Sequence, residues 1–176
     1  AHQDHILDAE ALARQSAATI ISNFEIVNHY KAIGLDGFAM NHGGAHTFPF
    51  GWLKYVNAVH SSSFPDGSYG GQPGGFLLRS DGKTIYIAGD TALHLDMKLL
   101  PEYGAIDLAI LPIGDTFTMG PEDATKAAGF LQCNRVLGVH YDTFDPIKID
   151  REKAKSCFVK AGKKLLLMAI GESIAI

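Results

Sequence analysis

An α/β domain is what this sequence predicts, from three observations. Helical and short apolar, β-branched patterns alternate near the start and again over the second half. Between them, two apolar runs flank Ser80-Asp81-Gly82, and Asp-Gly is a strong signal for a tight antiparallel turn. Apolar residues make up 47% of the 176 residues against 19% charged, enough to bury a sizeable core in one domain.

The elements follow in order. Leu7 to Ala18 reads as a helix, rich in Ala and Leu, with Asp8 and Glu10 favourably placed in its first turn. Thr19 to Ser22 is a short buried strand, and Phe24 to Ile33 a second helix that Gly34 can end in a left-handed conformation. Asn41-His42-Gly43-Gly44 is a turn, and Trp52 to Val59 a strand ending at His60. Ser61 to Gly75 is a loop of small residues; structureless loops this long are usually functional. A hairpin of Gly75 to Arg79 and Lys83 to Ala88 runs into Gly89-Asp90-Thr91. Then come a helix over Asp96 to Tyr103, a buried strand over Ile106 to Leu111, and a helix that Gly120-Pro121 opens. Arg135 to Val139 is a strand ending at His140, Arg151 to Ala161 a helix, and Lys164 to Ile170 and Ser173 to Ile176 closing strands. No repeat or linker divides the chain, so residues 1–176 read as a single domain.

Composition narrows the function. Fifteen basic against nineteen acidic side chains give a net charge of -4, no footprint for nucleic acid or anionic membrane. The longest apolar runs, such as Leu165 to Ile170, fall far short of the roughly 20 residues that cross a bilayer. Cys133 and Cys157 lack CxxC spacing and read as small hydrophobes, which suits a reducing cytoplasm.

The chemistry is concentrated in a few positions. Ala1-His2-Gln3-Asp4-His5 sets one carboxylate and two imidazoles within four residues, donors that suit Zn²⁺ and also Mn or Fe. Packed so tightly on a loop they cannot all reach one ion, so two ions a few ångströms apart are expected. His60, Asp90 and His140 each follow an apolar strand, and groups at strand ends project into a shared crevice in layered α/β folds.

His2-Gln3-Asp4-His5, then His60, Gly89-Asp90-Thr91 and His140, resemble the motif series of the metallo-β-lactamase superfamily, whose first motif reads His-x-His-x-Asp-His. Val59-His60-Ser61-Ser62, Leu111-Pro112-Ile113-Gly114, Phe117-Thr118-Met119-Gly120-Pro121-Glu122 and His140-Tyr141 look like one branch of predicted metal-dependent hydrolases. That branch is related to ascorbate-6-phosphate lactonase and N-acyl-phosphatidylethanolamine phospholipase D. The resemblance implies an αββα sandwich of two mixed sheets between helices. It implies one site at His2, His60 and a histidine just before Ala1, a second at Asp4, His5 and His140, and Asp90 bridging both. It also implies a companion N-terminal segment of roughly fifty residues from the same protein, without which a sheet edge would stand open. Relatives often form homo-oligomers.

The expected activity is dinuclear, metal-dependent hydrolysis. A cation lowers the pKa of bound water from about 15.7 to about 7, so a metal-bound hydroxide can attack an ester, lactone, amide or phosphodiester. Asp90 would bridge the ions and Asp4 would orient the water and take its proton. His42, in the Gly-rich turn, and Thr118, in a loop at a strand end, are candidate substrate contacts; His94 would face solvent or cap the helix that follows it. Gly70 to Gly75 is no phosphate loop, since neither a Lys nor a helix follows it. A small-molecule substrate is expected. Two other readings are a metal-dependent nuclease, which the charge balance disfavours, and a non-catalytic metal-binding subunit.

Overall fold

The computed structural model describes residues 1–176. Short apolar segments become strands where their alternate residues find two different faces to bury. In β4 (Gly51–Asn57), Leu53 and Tyr55 face a cluster with Met40, while Val56 faces the main core. In β5 (Gly74–Ser80), Leu77 enters the main core and Phe76 and Leu78 pack on the Met40 cluster. A sheet with two apolar faces must be covered on both.

The large sheet has seven strands in sequence order. β3 (Ala45–Phe48), β4, β5 and β6 (Lys83–Ile87) pair antiparallel, with the hairpin turn at Asp81-Gly82 as expected. β7 (Leu108–Pro112), β8 (Arg135–Val139) and β9 (Lys164–Leu166) then extend β6 in parallel. One face is covered by α4 (Pro121–Phe130) and α5 (Arg151–Lys160), whose Ala124, Ala127, Ala128 and Phe158 join Leu77, Tyr86 and Leu111 in the main core. The other face meets a two-stranded parallel sheet of β1 (Ile20–Asn23) and β2 (Gly37–Met40), on which α3 (Phe24–Ala32) packs. The order of layers is therefore helix, sheet, sheet, helix. Asn23 starts α3 by accepting a hydrogen bond from the Ile26 N–H at 2.9 Å.

Several elements differ from expectation. The helix expected over Leu7 to Ala18 is the shorter α2 (Ala9–Ser16), and a separate helical turn, α1 (Gln3–Ile6), carries the first donor motif. The four-residue strands β2 and β3 lie where no strand was expected, and their partners β1 and β4 supply the pairing. Leu95–Tyr103 is a 3₁₀ helix rather than an α-helix; Pro101 lies inside it, and a proline ring clashes with the carbonyl four residues back in an α-helix. Lys164 to Ile170 pairs only as far as Leu166, and Ser173 to Ile176 forms no strand: the Glu172 carboxylate accepts from the Ala169 N–H and turns the chain off the sheet edge. No helix is long and apolar enough to cross a membrane.

Candidate metal centre

β4 and β6 each run antiparallel to β5, so they run parallel to one another, and β8 runs the same way. Their C-terminal ends lie along one edge of the sheet and carry His60, Asp90 and His140. β4 stops at Asn57, and Ala58-Val59 carry the chain on to His60. Gly89, with φ of 63°, turns the chain out of β6 so that Asp90 points across the edge. His140 follows β8 directly with φ of 56°, a left-handed conformation that few histidines adopt and that the surroundings must hold.

The N-terminal donors sit on α1 rather than on an irregular loop. His2 stands at its N-cap position, and its carbonyl accepts from the His5 N–H at 3.0 Å. One helical turn fans Asp4 and His5 toward the sheet edge, resolving the divergence that an extended segment would impose.

All six expected donors meet. His5 Nε2 lies 2.9 Å from Asp90 Oδ2, His140 Nε2 3.4 Å and His60 Nε2 3.7 Å from the same oxygen. Asp4 Oδ2 lies 3.4 Å from His5 Nε2 and 3.5 Å from His140 Nε2. The His2 and His60 rings meet edge to face at 5.2 Å. The donors fall into two groups that share Asp90: Asp4, His5, Asp90 and His140, and His2, His60 and Asp90, with ligand atoms within 4.8 Å of one another. Two ligands bound to one tetrahedral Zn²⁺ at about 2.1 Å stand about 3.4 Å apart, so most of these separations match an edge of a coordination shell better than a hydrogen bond. The donor set fits a divalent cation.

Electrostatics agree with that fit at Asp90 and His60. The Asp90 side chain is only 10% exposed. Burial alone would raise its carboxyl, but the His5 hydrogen bond and the charges of His5, His140 and His60 hold it below the usual value. The hydrogen bond to Asp90 raises His5, whereas burial lowers His60 and favours its neutral, ligating form.

Supporting groups hold the ligand loops, and sequence reading missed most of them. Thr91 is fully buried; its hydroxyl accepts from the Val59 N–H at 2.9 Å, and its carbonyl accepts from the Met119 N–H at 3.1 Å. Asp142 accepts from the Ile149 N–H at 3.0 Å and from Arg151 Nε at 2.8 Å, closing the loop that leaves His140. Gly114 passes directly beneath that loop: a Cβ there would stand 2.1 Å from the His140 carbonyl oxygen.

The two proposed substrate contacts lie elsewhere. His42 Nε2 bonds the Pro73 carbonyl at 2.9 Å and its ring packs on Tyr55, which sets it behind the residues that line the nearest cavity. The Thr118 hydroxyl turns back to the Met119 carbonyl at 3.3 Å, and its neighbour Phe117 lines the cleft instead. His94 neither faces solvent nor caps the 3₁₀ helix with its side chain: it is nine-tenths buried, and neither ring nitrogen has a hydrogen-bond partner.

Comparison with known proteins decides the family. The sequence profile of the beta-lactamase superfamily domain matches residues 1–141. The chain belongs to the metallo-β-lactamase superfamily. It is 60% identical over 174 residues to a UPF0173 metal-dependent hydrolase of Christiangramia forsetii, covering 99% of this chain and 77% of that protein. A Thermus thermophilus protein of the same description is 52% identical over 152 residues, 86% of this chain and 67% of the relative. Among solved structures, Igni18, a metallo hydrolase from Ignicoccus hospitalis, superposes with a TM-score of 0.90 at 35% identity, covering 99% of this chain and 75% of that one. An isothiocyanate hydrolase from Delia radicum gut bacteria shares the fold, with a TM-score of 0.75 at 21% identity. The αββα layering thus has its counterpart in known hydrolases, and the chain is a metal-dependent hydrolase of this superfamily.

Proposed function

We propose that the centre is dinuclear and hydrolyses a small-molecule ester, lactone, amide or phosphodiester. The observation that carries this reading is the sharing of Asp90 by two donor groups. Asp4, His5 and His140 would hold one ion, His2 and His60 the other, and Asp90 both. When bound, two divalent cations supply Lewis-acid activation of water and stabilise oxyanion charge. Asp90, buried and held ionised, keeps the two halves in register. Asp4, whose side chain is 59% exposed on the cleft side, orients the attacking water and accepts its proton. Imidazole and carboxylate donors favour zinc, with manganese or iron as the alternatives.

Metal analysis tests this reading together with turnover. The expected result, measured with the companion segment proposed below in place, is two equivalents of metal per chain and hydrolysis that chelation abolishes. A single equivalent, or turnover unaffected by a chelator, would overturn it.

We further propose that a strand-rich companion segment of the same protein covers the cavity of about 250 Å³ lined by Ile6, Ile20, Ile21 and Phe76. The two-stranded sheet of β1 and β2 supports this, since its outer edges have no partner strand. Residues 1–176 expressed alone should then be poorly soluble and recover when the segment is supplied; a soluble chain that binds two metals and melts cooperatively would show it is not needed.

A further inference from the structure

The cleft beside the donor cluster, about 700 Å³ in volume, has a wall that the metal chemistry does not require. Three segments distant in sequence each bring an apolar side chain to it: Leu7 from the turn after α1, Phe117 from the loop before α4, and Phe144 from the loop after β8. Leu7 is 67% exposed, Phe117 51% and Phe144 46%. The two phenylalanine rings lie 6.0 Å apart and tilted by 30°, two faces of one wall. Scattered single apolar residues on a surface need no explanation, but a convergent group around reactive donors marks a binding groove.

From this geometry we infer that the substrate carries an apolar acyl or aryl arm that lies against Leu7, Phe117 and Phe144 while its carbonyl meets the donor cluster. The assignment rests on the hydrolase chemistry proposed above and narrows it to neutral carboxylic esters, lactones or amides. The wall supports a neutral arm: beyond the donor cluster, whose cations would meet the scissile group, the lining holds no Lys or Arg to pair with an anionic one. Full burial of one CH₂ group is worth about fourfold in affinity, and a wall open on one side captures roughly half of that free energy, about twofold.

The test uses the metal-loaded protein and a pair of hydroxamic acids, whose metal-binding heads are the same and whose tails differ by six CH₂ groups. Calorimetry should find octanohydroxamic acid bound about 60-fold more tightly than acetohydroxamic acid, following the per-CH₂ gain above. In Phe117→Ala/Phe144→Ala, with folding checked by circular dichroism, that ratio should fall below about fivefold. Equal affinity for the two tails, or an unchanged ratio in the double variant, overturns the apolar arm. In parallel, p-nitrophenyl octanoate should be hydrolysed with higher kcat/KM than bis-p-nitrophenyl phosphate; the reverse preference overturns the neutral substrate. Absence of turnover on every substrate counts against the hydrolytic reading, while the hydroxamate ratio still decides the wall.

Discussion

The hydroxyl of Thr91 accepts a hydrogen bond from the backbone N–H of Val59 at 2.9 Å. That contact joins the residue after Asp90 to the residue before His60, and the Val59 carbonyl answers by accepting from the Ala92 N–H at 3.0 Å. Two ligand loops from different strands are thereby fixed to each other without any metal. Thr91→Val keeps the shape and removes the acceptor. It should cost about 1–3 kcal/mol of stability and weaken metal binding by roughly 10–100-fold. Thr91→Ser should retain most of both. Thermal melts and metal titrations of the two variants would separate the outcomes, and equal behaviour of the two would remove the hydroxyl from the account.

Asp90 stands in both donor groups, so its loss reaches both at once. Asp90→Ala should reduce kcat/KM by at least about 10³-fold, the scale seen when a preorganised electrostatic group is removed from an active site. Metal content measured on the same sample should drop. Full turnover with normal metal content would exclude the shared-carboxylate chemistry.

Gly114 lies beneath His140 because nothing larger fits. Gly114→Ala pushes a methyl into the His140 carbonyl and should destabilise the protein by about 1–3 kcal/mol. Because His140 already holds a positive φ, the displaced backbone should also release the ligand. A lowered Tm together with unimpaired metal affinity would show that the His140 loop absorbs the clash harmlessly.

Tyr55 sets an alkaline limit. Burial pushes its hydroxyl up from 10.0 to about 12. The unfolded chain therefore ionises at this position before the folded one does. The stabilising contribution is fully present below pH 10 and is lost as pH rises toward 12. Tyr55→Phe should flatten the fall of stability across that window. Its cost at neutral pH should be near about 0.5 kcal/mol, because the Gln72 carbonyl it bonds also accepts from Asn23 Nδ2 at 3.2 Å. Denaturant melts at pH 8 and pH 11 decide whether the slope changes.

The legible parts of this molecule were those written as local chemistry. The Asp81-Gly82 turn, Pro121 at the start of α4 and the strand leading to His140 all lie where their residues predict them. The convergence of six donors was legible because imidazoles and carboxylates at strand ends leave a pattern in the chain. What was not legible depended on distant partners. Thr91 looks like any threonine until Val59 and Met119 arrive beside it, and Gly114 until His140 crosses over it. The short strands β2 and β3 carry little β-branched signal and exist because β1 and β4 offer them ladders. His42 sits in a Gly-rich turn that looked free to reach substrate, yet the Pro73 carbonyl and the Tyr55 ring claim it.

The placement of donors on β4, β6 and β8 has a consequence for how the chain acquires its centre. These strands are joined by long connections, and their C-terminal ends come together only when β8 has docked against β7. Contacts so far apart in sequence are slow to form. A partly folded chain that holds only the β4–β6 hairpins can offer His60 and Asp90 but not His140. Cation uptake at the full site is therefore a late event, and the ion favours the completed native state over every earlier intermediate by mass action. Metal occupancy, followed in time during refolding, should rise with the last kinetic phase rather than the first.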